Sequence, residues 1–103
     1  MAWLRLTLLT PLPGQAGEAR RNLDDLEDTL AKEEGFLMGG VFFSADAGPD
    51  LGRFSLWRTR EEADRAATLP HVLALRSQIH TLIQPGHVEQ LHEVSGARHN
   101  IPE

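Results

Sequence analysis

The stretch covering residues 54–83, FSLWRTREEADRAATLPHVLALRSQIHTLI, constrains the fold more than any other part of the chain. It opens as a short strand over residues 54–58. Alternation puts Phe54 and Leu56 on one face and Ser55 and Trp57 on the other. Thr59 is a good helix N-cap, and Glu62 three residues later completes a capping-box pattern. Glu61, Glu62 and Asp64 then fall where the positive end of the helix dipole favours carboxylates. Pro70 removes a backbone donor and crowds the preceding turn, which predicts a kink or a restart at Leu69-Pro70. Beyond it Val72, Leu75, Ile79, Leu82 and Ile83 form one apolar stripe.

The flanking segments supply the remaining elements. Residues 3–9 alternate as a strand, with Leu4, Leu6 and Leu8 read as the core face and Trp3, Arg5, Thr7 and Leu9 on the other. Pro11, Pro13 and Gly14 mark a turn. A helix follows to about Glu34, lined by Leu23, Leu26 and Leu30, with Gly35 as its left-handed terminator. Residues 36–43 read as a strand apolar on both faces, and Gly39-Gly40 suggests a bulge or a close backbone approach. Residues 44–52 form a long hairpin loop, and its length predicts mobility. The weakly hydrophobic residues 87–94 read as a fourth, edge strand. The polar residues 95–103 form a tail outside the single domain assigned to residues 1–94.

This order, β-α-β-β-α-β, predicts a ferredoxin-like α+β fold: a four-stranded antiparallel sheet with both helices on one face. The second sheet face then has nothing to cover it. Apolar residues must nonetheless lie there, so a homodimer closed through the sheet is expected.

Composition excludes several classes of function. The 103-residue chain contains no cysteine, hence no disulfide framework, thiolate nucleophile or cysteine-based zinc site. A net charge of −5 argues against nucleic acid as a partner. No run approaches the roughly 20 apolar residues that span a bilayer, and the first residues do not read as a signal peptide. A cytoplasmic protein without membrane association is expected. Phosphate-binding, zinc-protease and nucleophile-elbow motifs are missing. His71 and His80 fall on opposite helix faces, as do His87 and His92 on a strand, so sequence spacing assembles no metal set.

The run LWRTREEADRAATLPHVLAL resembles the antibiotic biosynthesis monooxygenase-like proteins, through Trp57, Thr59, Glu62, Ala63, Pro70 and His71. The resemblance spans about residues 3–94 and implies two ferredoxin-like sheets closing into a dimeric α/β barrel. It also implies cofactor-independent monooxygenation of a small aromatic, quinol-like or anthrone-like molecule, which supplies the electrons to dioxygen itself. Haem-degrading relatives would need an Asn where this chain has Thr7, and a Trp and a His where it has Ala66 or Ala67 and Arg76. His71, matching the family's Pro-His step, is the candidate base, or else a surface histidine topping the kink. Arg76 would stabilise an anion or oxygen, or pair with a carboxylate. Trp57 would wall the pocket or fill the dimer core. Arg5 and Thr7 would bind the ligand or a partner strand. Two other readings use the same fold: a non-catalytic ligand-binding or dimerisation module, and an isomerase or decarboxylase.

Overall fold

The computed structural model describes residues 1–45 and 50–96. The elements are β1 (Ala2–Leu9), α1 (Ala16–Leu30), β2 (Phe36–Phe43), β3 (Leu51–Trp57), α2 (Arg60–Ala67), α3 (Pro70–His80) and β4 (Val88–Val94). The sheet order is β2-β3-β1-β4, antiparallel throughout, which is the ferredoxin-like arrangement. The mobility expected of the hairpin loop falls on residues 46–49, and most of the expected tail on 97–103; both lie outside the described residues. Among the described residues no helix is long and apolar enough to cross a membrane.

Local chemistry sets the element boundaries. Thr59 caps α2, its Oγ1 accepting from the Glu62 backbone N–H at 3.1 Å and donating to the Glu62 carboxylate at 3.0 Å. Pro70 at the first position of α3 produces a restart, so the expected single helix is two helices meeting at Leu69. The first helix ends four residues earlier than expected, at Leu30, and residues 31–35 form turns. Gly35 takes φ +89°, and a Cβ there would stand 2.4 Å from the Glu62 side chain, so the site demands glycine on two counts. The bulge lies between Phe36 and Met38 rather than at Gly39-Gly40. Gly39 instead provides the close approach: a Cβ would sit 2.8 Å from the Phe54 carbonyl oxygen and 2.9 Å from the Phe36 ring.

The two sheet faces are the reverse of the sequence expectation. The helices pack on the Trp3–Arg5–Thr7–Leu9 face of β1, which β3 extends with Leu51, Arg53, Ser55 and Trp57. Leu23, Leu26 and Leu30 of α1, Ala63 and Ala66 of α2, and Val72 and Ile79 of α3 close over that face as the core. Leu4, Leu6 and Leu8 pair with Leu56, Phe54 and Gly52 on the uncovered face. The cause is the polar content of the covered side. Arg5 and Thr7 make the β1 row read as mixed beside three leucines, although Thr7 is buried together with Arg53 and Ser55 of β3.

Trp57 correspondingly belongs to this chain's own core, at 1 % exposure, and not to the uncovered face. Its indole N–H donates to Ser55 Oγ at 2.8 Å, and its ring meets Phe36 edge-on with centroids 5.5 Å apart. Strand β2, expected to be buried on both sides, is an edge strand with Leu37, Met38 and Phe43 exposed. Strand β4 takes the other edge, as its weak hydrophobicity predicts.

Candidate functional site

The register of the sheet assembles a polar floor beneath the helices. Thr7 lies between Arg53 of β3 and Glu89 of β4, and Arg5 lies between Ser55 and Leu91. The roof is apolar: Leu23, Leu26, Leu30, Ala63, Ala67, Val72 and Ile79 line the same cavity. Trp57 forms one wall, and Arg76, His80, His87 and Glu89 form the rim. The enclosed volume is about 30 Å³, enough for a water or two but not for a ring.

Three guanidiniums converge on this space. Arg53 is the most deeply buried, at 4 % exposure, and its Nε and Nη1 have no hydrogen-bond partner among the described residues. Arg5 Nε is likewise unpartnered, while its Nη2 donates to Asp64 at 3.3 Å. Arg76 is better satisfied, donating to the Ala67 carbonyl at 3.3 Å and to Glu89 Oε2 at 2.6 Å. Desolvation lowers the Arg53 pKa below its ordinary value, with Glu27 opposing; it lowers that of Arg5 in the same way, with Asp64 opposing. Buried donors without acceptors are costly. An anion entering the cavity would satisfy them.

Behind Arg53, Glu27 of α1 approaches its Nε at 3.6 Å, beyond hydrogen-bond reach. Both Glu27 carboxylate oxygens are buried without a hydrogen-bond donor among the described residues. Burial pushes its pKa up to about 7, and the neighbouring Arg53 charge pulls it back only in part.

Four of the five residues anticipated for the site line the cavity: Arg5, Thr7, Trp57 and Arg76. His71 does not. It is exposed in the first turn of α3 and is absent from the lining. Sequence reasoning missed Arg53, Ser55, Glu89, His80 and His87. Arg53 and Ser55 carried a readable signal, since they share the Trp57 face of their strand at two-residue intervals. His80 and His87 meet only through the turn at Pro85-Gly86, where Gly86 adopts φ +92°; their rings stand 4.7 Å apart. His80, His87 and Glu89 are the group of residues able to hold a metal ion among those described, with ligand atoms within 4.8 Å of one another. Spacing along the chain does not bring these three residues together; the tertiary fold does. A wider groove of about 450 Å³ adjoins the cavity at the end of the sheet, between Leu8, Phe42, Leu51 and Pro85, and His87 lines both.

No known family profile matches the sequence, and no curated protein matches it. Solved structures do match. Rv0793 from Mycobacterium tuberculosis superposes with a TM-score of 0.84 at 23 % identity, covering 94 % of this chain and 98 % of that one. SnoaB, a cofactor-independent oxygenase from Streptomyces nogalater, superposes with a TM-score of 0.80 at 18 % identity over 99 % of this chain and 98 % of that one. A structure described as an antibiotic biosynthesis monooxygenase gives 0.79 at 14 % identity over 92 % and 99 %. The chain has the ferredoxin-like fold of the antibiotic biosynthesis monooxygenase-like proteins.

Proposed function

We propose that the protein is a cofactor-independent monooxygenase of small aromatic substrates of the quinol or anthrone type, working as a homodimer. The observation that carries the reading is the cationic floor beside Trp57. Arg53 is buried with two donors unpartnered, and Arg5 and Arg76 face the same cavity. Such a site favours a substrate that becomes an anion. An anthrone-type methylene would lose a proton to a base, and the guanidiniums would hold the resulting phenolate or enolate while it reduces dioxygen. One oxygen atom becomes the new carbonyl and the other leaves as water, so the reaction balances without an external reductant.

Arg76 keeps the stabilising role expected of it, Trp57 walls the ring, and Arg5 and Thr7 bind the substrate oxygens. The base role passes from His71 to His80 or His87, the imidazoles on the cavity rim. A ring needs more room than 30 Å³. The rim side chains Arg76, exposed by a quarter, and His80, which is exposed, would rearrange around the ring while keeping contact with it. The dimer would form through the uncovered face, where Leu8, Met38 and Val88 are exposed beside Leu4, Leu6, Phe54 and Leu56.

The test is oxygen uptake by metal-stripped protein against hydroquinones, anthrones and flavonols. Uptake of one dioxygen per anthrone is expected. Arg76→Ala should lower kcat/KM by ~100-fold, whereas His71→Ala should leave it unchanged. Loss of turnover in His71→Ala would return the base role to that residue. No uptake across the panel would favour the second reading, a non-catalytic binding module, which the small cavity volume supports.

A further inference from the structure

We propose that His80, His87 and Glu89 form a binding site for a divalent transition-metal ion of the zinc, nickel or cobalt class at the rim of the cavity. The three side chains come from different places: the last residue of α3, the loop that follows it, and β4. The fold alone brings them together. Two imidazole nitrogens and one carboxylate oxygen suit a borderline metal and not magnesium or calcium, which prefer all-oxygen shells.

Metal–ligand bonds of ~2.1 Å place tetrahedral ligand atoms roughly 3.4 Å apart. The atoms here lie within 4.8 Å of one another, and His87 Nε2 stands 3.9 Å from Glu89 Oε1. Closing the set requires ligand atoms on exposed side chains to approach one another by roughly an ångström. The loop carrying His87 is already tethered: Leu12 N–H donates to the Leu82 carbonyl and Gln84 N–H to the Thr10 carbonyl, each at 2.8 Å, around the Pro11–Ile83 bridge. Glu89 is oriented too. Its Oε2 accepts from Arg76 at 2.6 Å, leaving Oε1 on the side of the histidines. A carboxylate ligand held by a hydrogen bond from outside the metal shell is the usual second layer of such sites. Three protein ligands leave a fourth position free, and because all three residues line the cavity, that position borders the space where a ligand would lie.

The inference does not depend on the oxygenase reading, because its test measures binding. The full chain, stripped with a chelator, is titrated with Zn²⁺ by calorimetry and with Co²⁺ by visible absorption. One ion per chain is expected, with the absorption intensity of a four-coordinate cobalt site. His80→Ala and His87→Ala should each weaken Zn²⁺ binding by at least tenfold, and Glu89→Gln should weaken it measurably. His71→Ala and His92→Ala should retain the wild-type affinity, and circular dichroism confirms that each variant is folded. Sub-stoichiometric binding, or binding that survives both rim-histidine substitutions, would overturn the proposal.

Discussion

Glu27→Gln isolates the energetic consequence of a carboxylate buried without donors. Glu27 lies against Arg53 with 8 % exposure, and its pKa is raised from an ordinary 4.5 to about 7. Below about pH 4.5 both the folded and the unfolded chain carry this proton, and the group contributes no penalty. Between that pH and about 7 the unfolded chain ionises while the folded chain retains its proton. The unfolded state then binds fewer protons than the native state, so stability falls as pH rises. Above about 7 both forms are ionised and the full penalty persists. Each pH unit of displacement is worth ~1.4 kcal/mol. The wild type should therefore lose about 3 kcal/mol relative to Glu27→Gln across this window. The glutamine has the shape of the protonated acid and does not titrate. Urea unfolding of both proteins at a fixed chain concentration, from pH 4 to 8.5, gives the difference directly. In thermal melts it corresponds to a relative shift on the order of 10–20 °C for a domain of this size. Parallel stability curves, differing by a constant amount at every pH, would refute the claim that Glu27 is buried in its charged form at a cost.

Two further outcomes follow from the packing. Gly39→Ala places a methyl group against the Phe54 carbonyl and the Phe36 ring, which supports Trp57; we expect a loss of about 1–3 kcal/mol in urea unfolding and a changed tryptophan emission, and wild-type stability would contradict the close approach. Leu6→Glu puts a charge at the centre of the uncovered sheet face opposite Phe54, and if the proposed dimer forms through that face, sedimentation should show a dimer for the wild type and a monomer for the variant. A variant that stays dimeric would place the interface elsewhere.

Much of the fold was legible in the sequence because local chemistry dictates it. The Thr59 cap, the Pro70 restart, the left-handed backbone at Gly35 and the edge position of β4 were each readable from local composition, although α1 itself ends at Leu30, ahead of Gly35. The ferredoxin-like order then follows from the sequence of elements. The orientation of the sheet was not legible. Three leucines at alternate positions of β1 look like a core face, and a row that mixes Trp3 and Leu9 with Arg5 and Thr7 looks less like one. Alternation identifies two faces but carries no information about which one the helices will cover. Equally, no spacing rule reveals that a turn between His80 and His87 will fold one imidazole back against the other.

The misassigned face and the candidate site have the same cause. A sheet floor built for stability alone would place leucines beneath Leu23, Leu26 and Val72. This one places Thr7, Arg53 and Ser55 there, leaves donors of Arg53 and both oxygens of Glu27 without a partner among the described residues, and turns the leucines of β1 to the other side, with Leu8 exposed and Leu4 and Leu6 half-buried. Buried guanidiniums with unfilled hydrogen-bonding capacity are destabilising unless something answers them. The uncovered leucines are equally unfavourable in water unless a second surface covers them. Both deficits would be resolved by the two events proposed above, an anion in the cavity and a partner on the sheet. They also act on opposite faces of the same strands: Arg53 and Phe54 are adjacent residues, one facing the cavity and the other the proposed interface. Association through the leucine face would therefore stiffen the strand that carries the cavity's most buried cation. On that reasoning a monomeric Leu6→Glu variant should bind anionic aromatics more weakly than the wild type, although Leu6 itself contributes nothing to the cavity wall.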